Sequence, residues 1–483
     1  MRSGILNTLR TLALGFLAVQ TWSGVANAQT WTKLKNTSPI TAGTSLLLTD
    51  GRVLVQQSDG GEYWTLTPDD TGSYVNGTWT QVASLPSGYG PLYYASAVLP
   101  DDRVVVMGGE YNFGSDVETN LGAIYDPVAN TWTKLAAPSG WGNIGDGQSV
   151  ILPNGTMMIG SCCVAEMAAL NATTLTWTIA SSTGKADNYN EEGWTLLPNG
   201  AVLTVDTEDK MNSELYLSKK GEWVSAGSTV VELPNSSADE IGPGALMPNG
   251  KVFYVGATGN TAIYTPAASG PGTWVAGPTF PSIGGELNAA DAPAAVLPDG
   301  NVLVQVSAGV YSPPSYFFEF NGTTLTQVPA TSTASKDPCY AGRMLVLPTG
   351  QVFWTDGSTN VEIYTAAGTY NPAWAPVIKK APTSITPGSS YEIAGTLFNG
   401  TTQGAFYGDD AQMATNYPLL QIINTASGHV FYARTYDHSS MAVANPAEVL
   451  THFEVPANVE TGPSSLVVVA DGIPSAPVAV TVN

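Results

Sequence analysis

The sequence predicts an all-β chain, a seven-bladed β-propeller followed by an immunoglobulin-like β-sandwich. Three observations predict it. A short apolar–turn–apolar motif recurs seven times, at intervals of 45 to 53 residues. An aromatic-bearing strand and a Thr-Trp strand follow most copies. The composition is rich in Gly, Pro, Trp and Tyr (51, 33, 12 and 21 residues) and only 12% charged, with almost no Lys-rich helical patterning.

The repeated motif reads LLLTDGRVLV, AVLPDDRVVV, VILPNGTMMI, TLLPNGAVLT, ALMPNGKVFY, AVLPDGNVLV and LVLPTGQVFW, with aligned turn positions Gly51, Asp102, Gly155, Gly200, Gly250, Gly300 and Gly350. Asn-Gly or Asp-Gly between apolar runs predicts a tight β-hairpin with positive φ angles. Both strands are almost continuously apolar, so both faces should be buried, as in the inner strands of a propeller blade. The third strand of a unit carries Tyr63, Tyr125, Tyr216, Tyr264, Phe317 and Tyr364. The fourth carries Trp79, Trp132, Trp177, Trp223 and Trp274, with Leu325 in the sixth copy. Four strands per roughly 50 residues is the blade pattern.

The seventh unit has no fourth strand of its own, and an extra Thr-Trp-Thr-Lys-Leu stands at Trp31, before the first hairpin. The N-terminal strand is therefore expected to complete the last blade and remove the free edges. The propeller then spans residues 29–376. Lys379 to Pro382 reads as a linker. The remaining part of 377–483 has short alternating segments, at Ser390 to Ile393, Leu419 to Ile423, His429 to Ala433, His452 to Val455, Ser465 to Ala470 and Val478 to Val482. That is the rhythm of an immunoglobulin-like sandwich.

Residues 1–28 read as a removable export signal. Arg2 and Arg10 flank its start, Leu12 to Val19 is apolar but too short to span a bilayer, and Ala26-Asn27-Ala28 is a small-x-small cleavage site. The expected location is outside the cytoplasm, secreted or periplasmic. No later run is long enough for a membrane span. The net charge is −22, which argues against nucleic acid or anionic lipid as partner. It suits cations and neutral or cationic ligands. A monomer is expected.

The hairpin repeats, the run Pro338-Cys339-Tyr340-Ala341-Gly342-Arg343 opening the seventh hairpin, and the C-terminal Leu466 to Ser475 resemble the galactose oxidase and glyoxal oxidase family. The resemblance covers nearly the whole mature chain and implies a kelch-type seven-bladed propeller joined to a C-terminal sandwich. It also implies a copper site made by a Tyr-His pair, a Tyr thioether-linked to Cys, and a His delivered by the C-terminal domain. This sequence keeps Tyr340 of the pair, but Ala341 replaces the His. Asp146 stands at the cross-linked Tyr. The second unit has Tyr93 and Tyr94 and no Cys. His429 and His438 are the candidates for the C-terminal ligand, although an ungapped match places Tyr432 there. The scaffold is therefore expected without copper-radical chemistry.

Seven positions before the turn Pro, the third, fourth and sixth units carry Asp146, Glu191 and Asp291, and Glu192 adjoins Glu191. Asp239 and Glu240 lie near the equivalent place in the fifth unit. These carboxylates are expected at one mouth of the channel, where they would raise one another's pKa, share a hard cation such as calcium, or accept hydrogen bonds from sugar hydroxyls. Tyr89, Tyr93, Tyr94, Tyr189, Trp194 and Tyr340 are expected at the same mouth, where aromatic faces stack on sugar C–H faces. Asp206, Glu208 and Asp209 form a further acidic loop. Cys162-Cys163 reads either as a vicinal disulfide near the mouth or as free thiols, and Cys339 could pair with one of them only if the third and seventh units approach within about 7 Å at Cα.

These residues support a protein that binds carbohydrate or another cell-surface ligand at an acidic, aromatic channel mouth. The alternatives are a copper-dependent alcohol or aldehyde oxidase with a rearranged site built from Tyr340, Tyr93 or Tyr94 and a C-terminal His, a glycan hydrolase or lyase using the channel carboxylates, and a purely structural surface module.

Overall fold

The computed structural model describes residues 29–268, 270–407 and 413–483. The expected export signal lies outside them. The described chain is all-β, with two short 3-10 turns, Cys339–Ala341 and Pro372–Trp374. No helix among the described residues is long and apolar enough to cross a membrane.

Seven antiparallel sheets share one pattern, the strands of each repeat lying side by side in chain order. The second is typical. Its inner strands Ala95–Val98 and Val104–Met107 are buried at every position, because apolar side chains on both faces need cover on both faces. Its outer strand Thr131–Lys134 is largely exposed. The seventh sheet takes its outer strand from the other end of the chain. Thr30–Lys33 pairs with Val361–Thr365, Trp31 opposite Tyr364.

The Thr-Trp strands tie neighbouring sheets together. The indole N–H of Trp132 donates to Ala83 O (2.9 Å), just past the outer strand of the preceding sheet. Trp177 donates to Ala136 O (2.7 Å), Trp79 to Asn36 O (3.0 Å) and Trp31 to Pro329 O (2.7 Å). The last two continue the pattern across the join between the chain ends. The Trp31 ring also meets Phe317 and Tyr364, each with its centroid 4.9 Å away.

The hairpin turns differ from the expected form. The Gly at each turn is in the left-handed region (φ 77° to 88°), but the Asn or Asp before it is not. In the third turn Gly155 N–H donates to Leu152 O (2.8 Å), and Asn154 Oδ1 accepts the Thr156 amide (3.1 Å). The Asn is thus selected for its side-chain acceptor and the Gly for its φ. Asp102, which replaces Gly in the second turn, takes φ 76° and sends its carboxylate to Arg434 at 2.5 Å.

That ion pair crosses to the C-terminal unit, a sheet path of eight strands from Val377–Lys380 to Ser384–Ile385, with Ile473–Pro474 paired alongside. It packs around Ile393, Leu420, Phe453 and Leu466. Residues 379 and 380, read as linker, instead close the strand Val377–Lys380, which pairs with Ser390–Thr396. The unit covers the hairpin-turn end of the repeats. Tyr432 lies against Gly51 and Gly472 against Gly350, and Met441 N–H donates to Pro153 O (3.0 Å). The opposite end is left open.

One strand was not anticipated. Ala405–Tyr407, from the C-terminal unit, pairs with Pro293–Val296, the innermost strand of the sixth sheet. It also packs on Gly244–Leu246 and Arg343–Val346, innermost strands of the fifth and seventh. It fills the centre of the array. Its sequence, Ala-Phe-Tyr after Gln403-Gly404, is too short to signal a strand on its own.

Trp31→Ala removes a ring contact set and a hydrogen bond at the join of the chain ends. The expected cost is about 2–3 kcal/mol, below the roughly 3–5 of a fully buried ring, measured as a shift in the denaturant midpoint at unchanged slope.

Candidate functional site

In an antiparallel hairpin, the start of the first strand and the end of the second lie at the same end of the sheet. The open end of the array is therefore lined by two loop sets, one entering each first strand and one leaving each second strand. They enclose a cavity of about 640 Å³. Asp146, Glu191 and Asp291 come from the entering loops, Asp59 and Glu110 from the leaving loops, and Glu240 from the entering loop of the fifth sheet. Four tyrosines join them, Tyr93, Tyr111, Tyr311 and Tyr340.

Backbone geometry aims several of these side chains. Tyr93, Glu191 and Asp291 occupy the same repeat position and all lie in the left-handed region, with φ of 52°, 53° and 49°. Tyr311 and Asp59 do so as well, at 56° and 54°. Non-glycine residues held there are strained, and such strain clusters at functional sites. Asp291 is fixed by its amide, which donates to Ile241 O (3.1 Å). Glu110 is fixed by its own amide on Tyr93 O (3.0 Å). The Tyr311 hydroxyl donates to Glu240 Oε1, and its ring meets Tyr340 edge-on at 5.6 Å.

The carboxylates are crowded. Burial, then the Asp146 charge, raises Glu110 to about 7. Burial, then Asp146 and Glu110, raises Glu118 to about 8. Asp146 itself rises to about 6, chiefly through burial, with Glu240 and Asp116 adding to it against its own backbone amide. Glu118 Oε2 lies 3.4 Å from the sulfur of Cys162. Cys162 and Cys163 are joined by a vicinal disulfide, so that sulfur has no proton to give, and the carboxyl donates in its protonated form.

Under the rim, the Arg343 guanidinium lies 3.5 Å from the centre of the Tyr407 ring and 5.3 Å from that of Tyr93. It donates to Tyr340 O (2.7 Å), as does the Tyr407 hydroxyl (2.9 Å). The inserted strand thus braces Tyr340 from below.

Several expected mouth residues lie elsewhere. Tyr94 is buried, donating to Gln56 Oε1 (2.6 Å) beside Tyr63. Tyr89, Tyr189 and Trp194 are also core. Glu192 is fully buried and is not part of the cavity wall, because the chain turns at Glu191, whose φ is 53°. It joins Asp187, Asp206 and Glu214 around the Lys185 ammonium, with Glu192 at 2.7 Å, Glu214 at 2.8 Å and Asp206 at 3.4 Å. Those carboxylates outweigh the burial of Lys185 and hold it protonated, above its ordinary range. Asp206, read as part of an acidic loop, is in this cluster, and Glu208 accepts from Asn188 Nδ2 (2.8 Å).

Neither candidate histidine lines the cavity. His429 Nδ1 is 2.7 Å from Glu460, with Asp70 on its other side. His438 is buried, parallel to Tyr417 and bonded to Thr451 Oγ1 (2.7 Å). Burial lowers its pKa to about 3. It borders a separate cavity of about 290 Å³ against the turns at Asp101 and Asn154. Its loop therefore packs at the turn end, and the segment that reaches the channel is Ala405–Tyr407, carrying Tyr407. The mouth residues do not fit the copper set. They offer carboxylate and phenol oxygens, which suit hard cations, and no imidazole, which copper favours.

Glu110, Asp59 and Tyr311 stand in the loops that leave the second strands, two to four residues past the strand ends, so the same sequence repeat marks them. Arg343 and Tyr407 had no such signal.

Two consequences can be measured. Glu110, Glu118 and Asp146 lose their protons near 4 when unfolded and only near 6 to 8 when folded. The folded chain binds more protons in that window, so their stability contribution is full below about pH 4 and is lost as pH rises through 6 to 8. The melting temperature should fall from pH 5 to pH 8, and Glu110→Gln with Glu118→Gln should flatten the slope. Separately, Lys185→Met strands four buried carboxylates and should cost about 3–5 kcal/mol by denaturant titration.

No family model matches the chain. It is 26% identical over 145 residues to the Kelch-like protein terF of Aspergillus terreus, a match spanning 29% of each chain. Among solved structures it resembles a fungal alcohol oxidase of the AA5 family determined in complex with copper, with a TM-score of 0.54 at 16% identity, covering 95% of this chain and 100% of that one. It also resembles the extracellular domain of the putative hybrid two-component system BT4673 of B. thetaiotaomicron, with a TM-score of 0.50 at 10% identity over 95% of this chain and 59% of that one. The repeated sheets, the Thr-Trp strands and these likenesses together give the chain the fold of the galactose oxidase-like kelch propellers.

Proposed function

We propose that the protein is exported after removal of residues 1–28 and acts as a seven-bladed propeller with an immunoglobulin-like C-terminal domain that binds carbohydrate, without copper-radical catalysis. One observation carries this reading: an open cavity of about 640 Å³ whose described lining residues include six carboxylates and four tyrosines and no Lys, Arg or His. Sugar hydroxyls donate charge-assisted hydrogen bonds to carboxylates while their C–H faces stack on rings. An anionic ligand would meet only repulsion there. Phe113, 53% exposed at the tip of the hairpin Tyr111–Asn112 and Ser115–Asp116, adds an apolar ring near the rim beside Gly90.

A second reading is favoured by Glu110. A carboxyl with a pKa of about 7 beside Asp146 at about 6 is suited to giving and taking protons at neutral pH, as glycan hydrolysis or elimination requires.

The two readings separate in one set of assays. On a glycan array and in polysaccharide pull-downs, the wild-type protein is expected to bind, and the triple variant Asp146→Ala, Glu191→Ala, Asp291→Ala to lose binding. Unchanged binding by the triple variant overturns the site. Release of reducing or unsaturated ends that stops in Glu110→Gln establishes the catalytic reading. Stoichiometric copper uptake with peroxide release from alcohols or aldehydes would replace both.

A further inference from the structure

We propose that Glu191, Glu240 and Asp291 form a calcium-binding site in the wall of the mouth cavity. The proposal does not depend on the carbohydrate reading.

Each of the three offers one carboxylate oxygen, and the three oxygens lie within 4.8 Å of one another. Ligands on opposite sides of a calcium ion, at about 2.4 Å each, are about 4.8 Å apart. The donors come from entering loops of three consecutive sheets, so the folded ring itself assembles them. The cavity leaves room for the waters that complete six to eight oxygen ligands.

One buried group points to a missing cation. Glu240 is 6% exposed. Its Oε1 accepts from Tyr311, and its Oε2 is buried with no hydrogen-bond partner among the described residues. A buried carboxylate oxygen without a donor is costly, and a bound cation removes the cost.

The same protein supplies an internal comparison. Asp187, Glu192 and Asp206 also bring three carboxylate oxygens within 4.8 Å of one another, and there the Lys185 ammonium sits among them. Glu191 and Glu192 are consecutive, one facing each cluster. The Glu192 cluster carries its own cation on a side chain. The Glu191 cluster faces a cavity whose described lining residues include no Lys, Arg or His. Its oxygen-only donors suit a hard divalent ion. Calcium fits better than magnesium because the ligands come from three separate loops around an open cavity, whereas magnesium demands a tight octahedron.

The test is isothermal titration of CaCl2 into chelator-stripped full-length protein, with Mg2+ in parallel. One saturable calcium site with submillimolar affinity is expected, with magnesium at least about tenfold weaker. Glu240→Gln with Asp291→Asn should abolish the site, while Glu118→Gln should leave it unchanged. No stoichiometric calcium binding, equal affinity for magnesium, or unchanged binding in the double variant overturns the proposal. Should the double variant fail to fold, terbium luminescence excited through tyrosine tests the location in its place. Calcium should displace the signal, and Tyr311→Phe with Tyr340→Phe should lower it several-fold while calorimetric calcium binding persists. A tyrosine-excited signal that is unaffected by these two substitutions places the ion elsewhere and overturns the assignment.

Discussion

The structure depends on an interaction between sheets. No repeat can bury both faces of its inner strands alone, so each needs a neighbour on either side. The Thr-Trp strand supplies the register for that packing. Trp79, Trp132 and Trp177 each pass an indole hydrogen bond back to the carbonyl chain just beyond the preceding outer strand. Trp31 does the same to Pro329 from a strand that belongs to the opposite end of the chain. The two ends are therefore held by the same indole-to-carbonyl bond that links the first, second and third sheets to the sheets before them. Trp223 and Trp274 depart from the pattern and donate to Met167 Sδ and Ser213 Oγ. The fourth and fifth sheets keep the ring contacts but not the backbone bond.

That packing has an electrostatic result. Side chains at equivalent repeat positions converge on one opening, so Asp146, Glu191 and Asp291, successively 45 and 100 positions apart in sequence, line one cavity. Burial and mutual repulsion then raise the pKa values of Glu110, Glu118 and Asp146. The chain meets the same physical problem twice. In the Lys185 cluster it places an ammonium among the acids. At the mouth the acids face a cavity.

The inserted strand Ala405–Tyr407 links the scaffold to that opening. It lies on the innermost strand of the sixth sheet and sends the Tyr407 hydroxyl to the carbonyl of Tyr340, with the Arg343 guanidinium against its ring. The resembling oxidases are expected to deliver a histidine from this domain. Here the delivered residue is a phenol that holds up the floor of the site. The likeness to the fungal alcohol oxidase is one of fold, and fold alone does not carry chemistry.

The sequence by itself determined the repeat, its four-strand unit, the return of the strand at Trp31 to the last unit, and the acidic entering loops at Asp146, Glu191 and Asp291. All of these follow from local periodicity and turn chemistry, which the chain carries in consecutive residues. Tertiary structure decided which of two adjacent carboxylates faces the cavity. Glu191 and Glu192 are indistinguishable by composition, and the turn at Glu191 (φ 53°) sends one to the mouth and the other to Lys185. It also decided that Tyr94, Tyr189 and Trp194 are core, that Glu110 and Tyr311 complete the site from the other loop set, and that His438 lies at the far end. These outcomes depend on contacts between residues tens to hundreds of positions apart, and no local pattern encodes them.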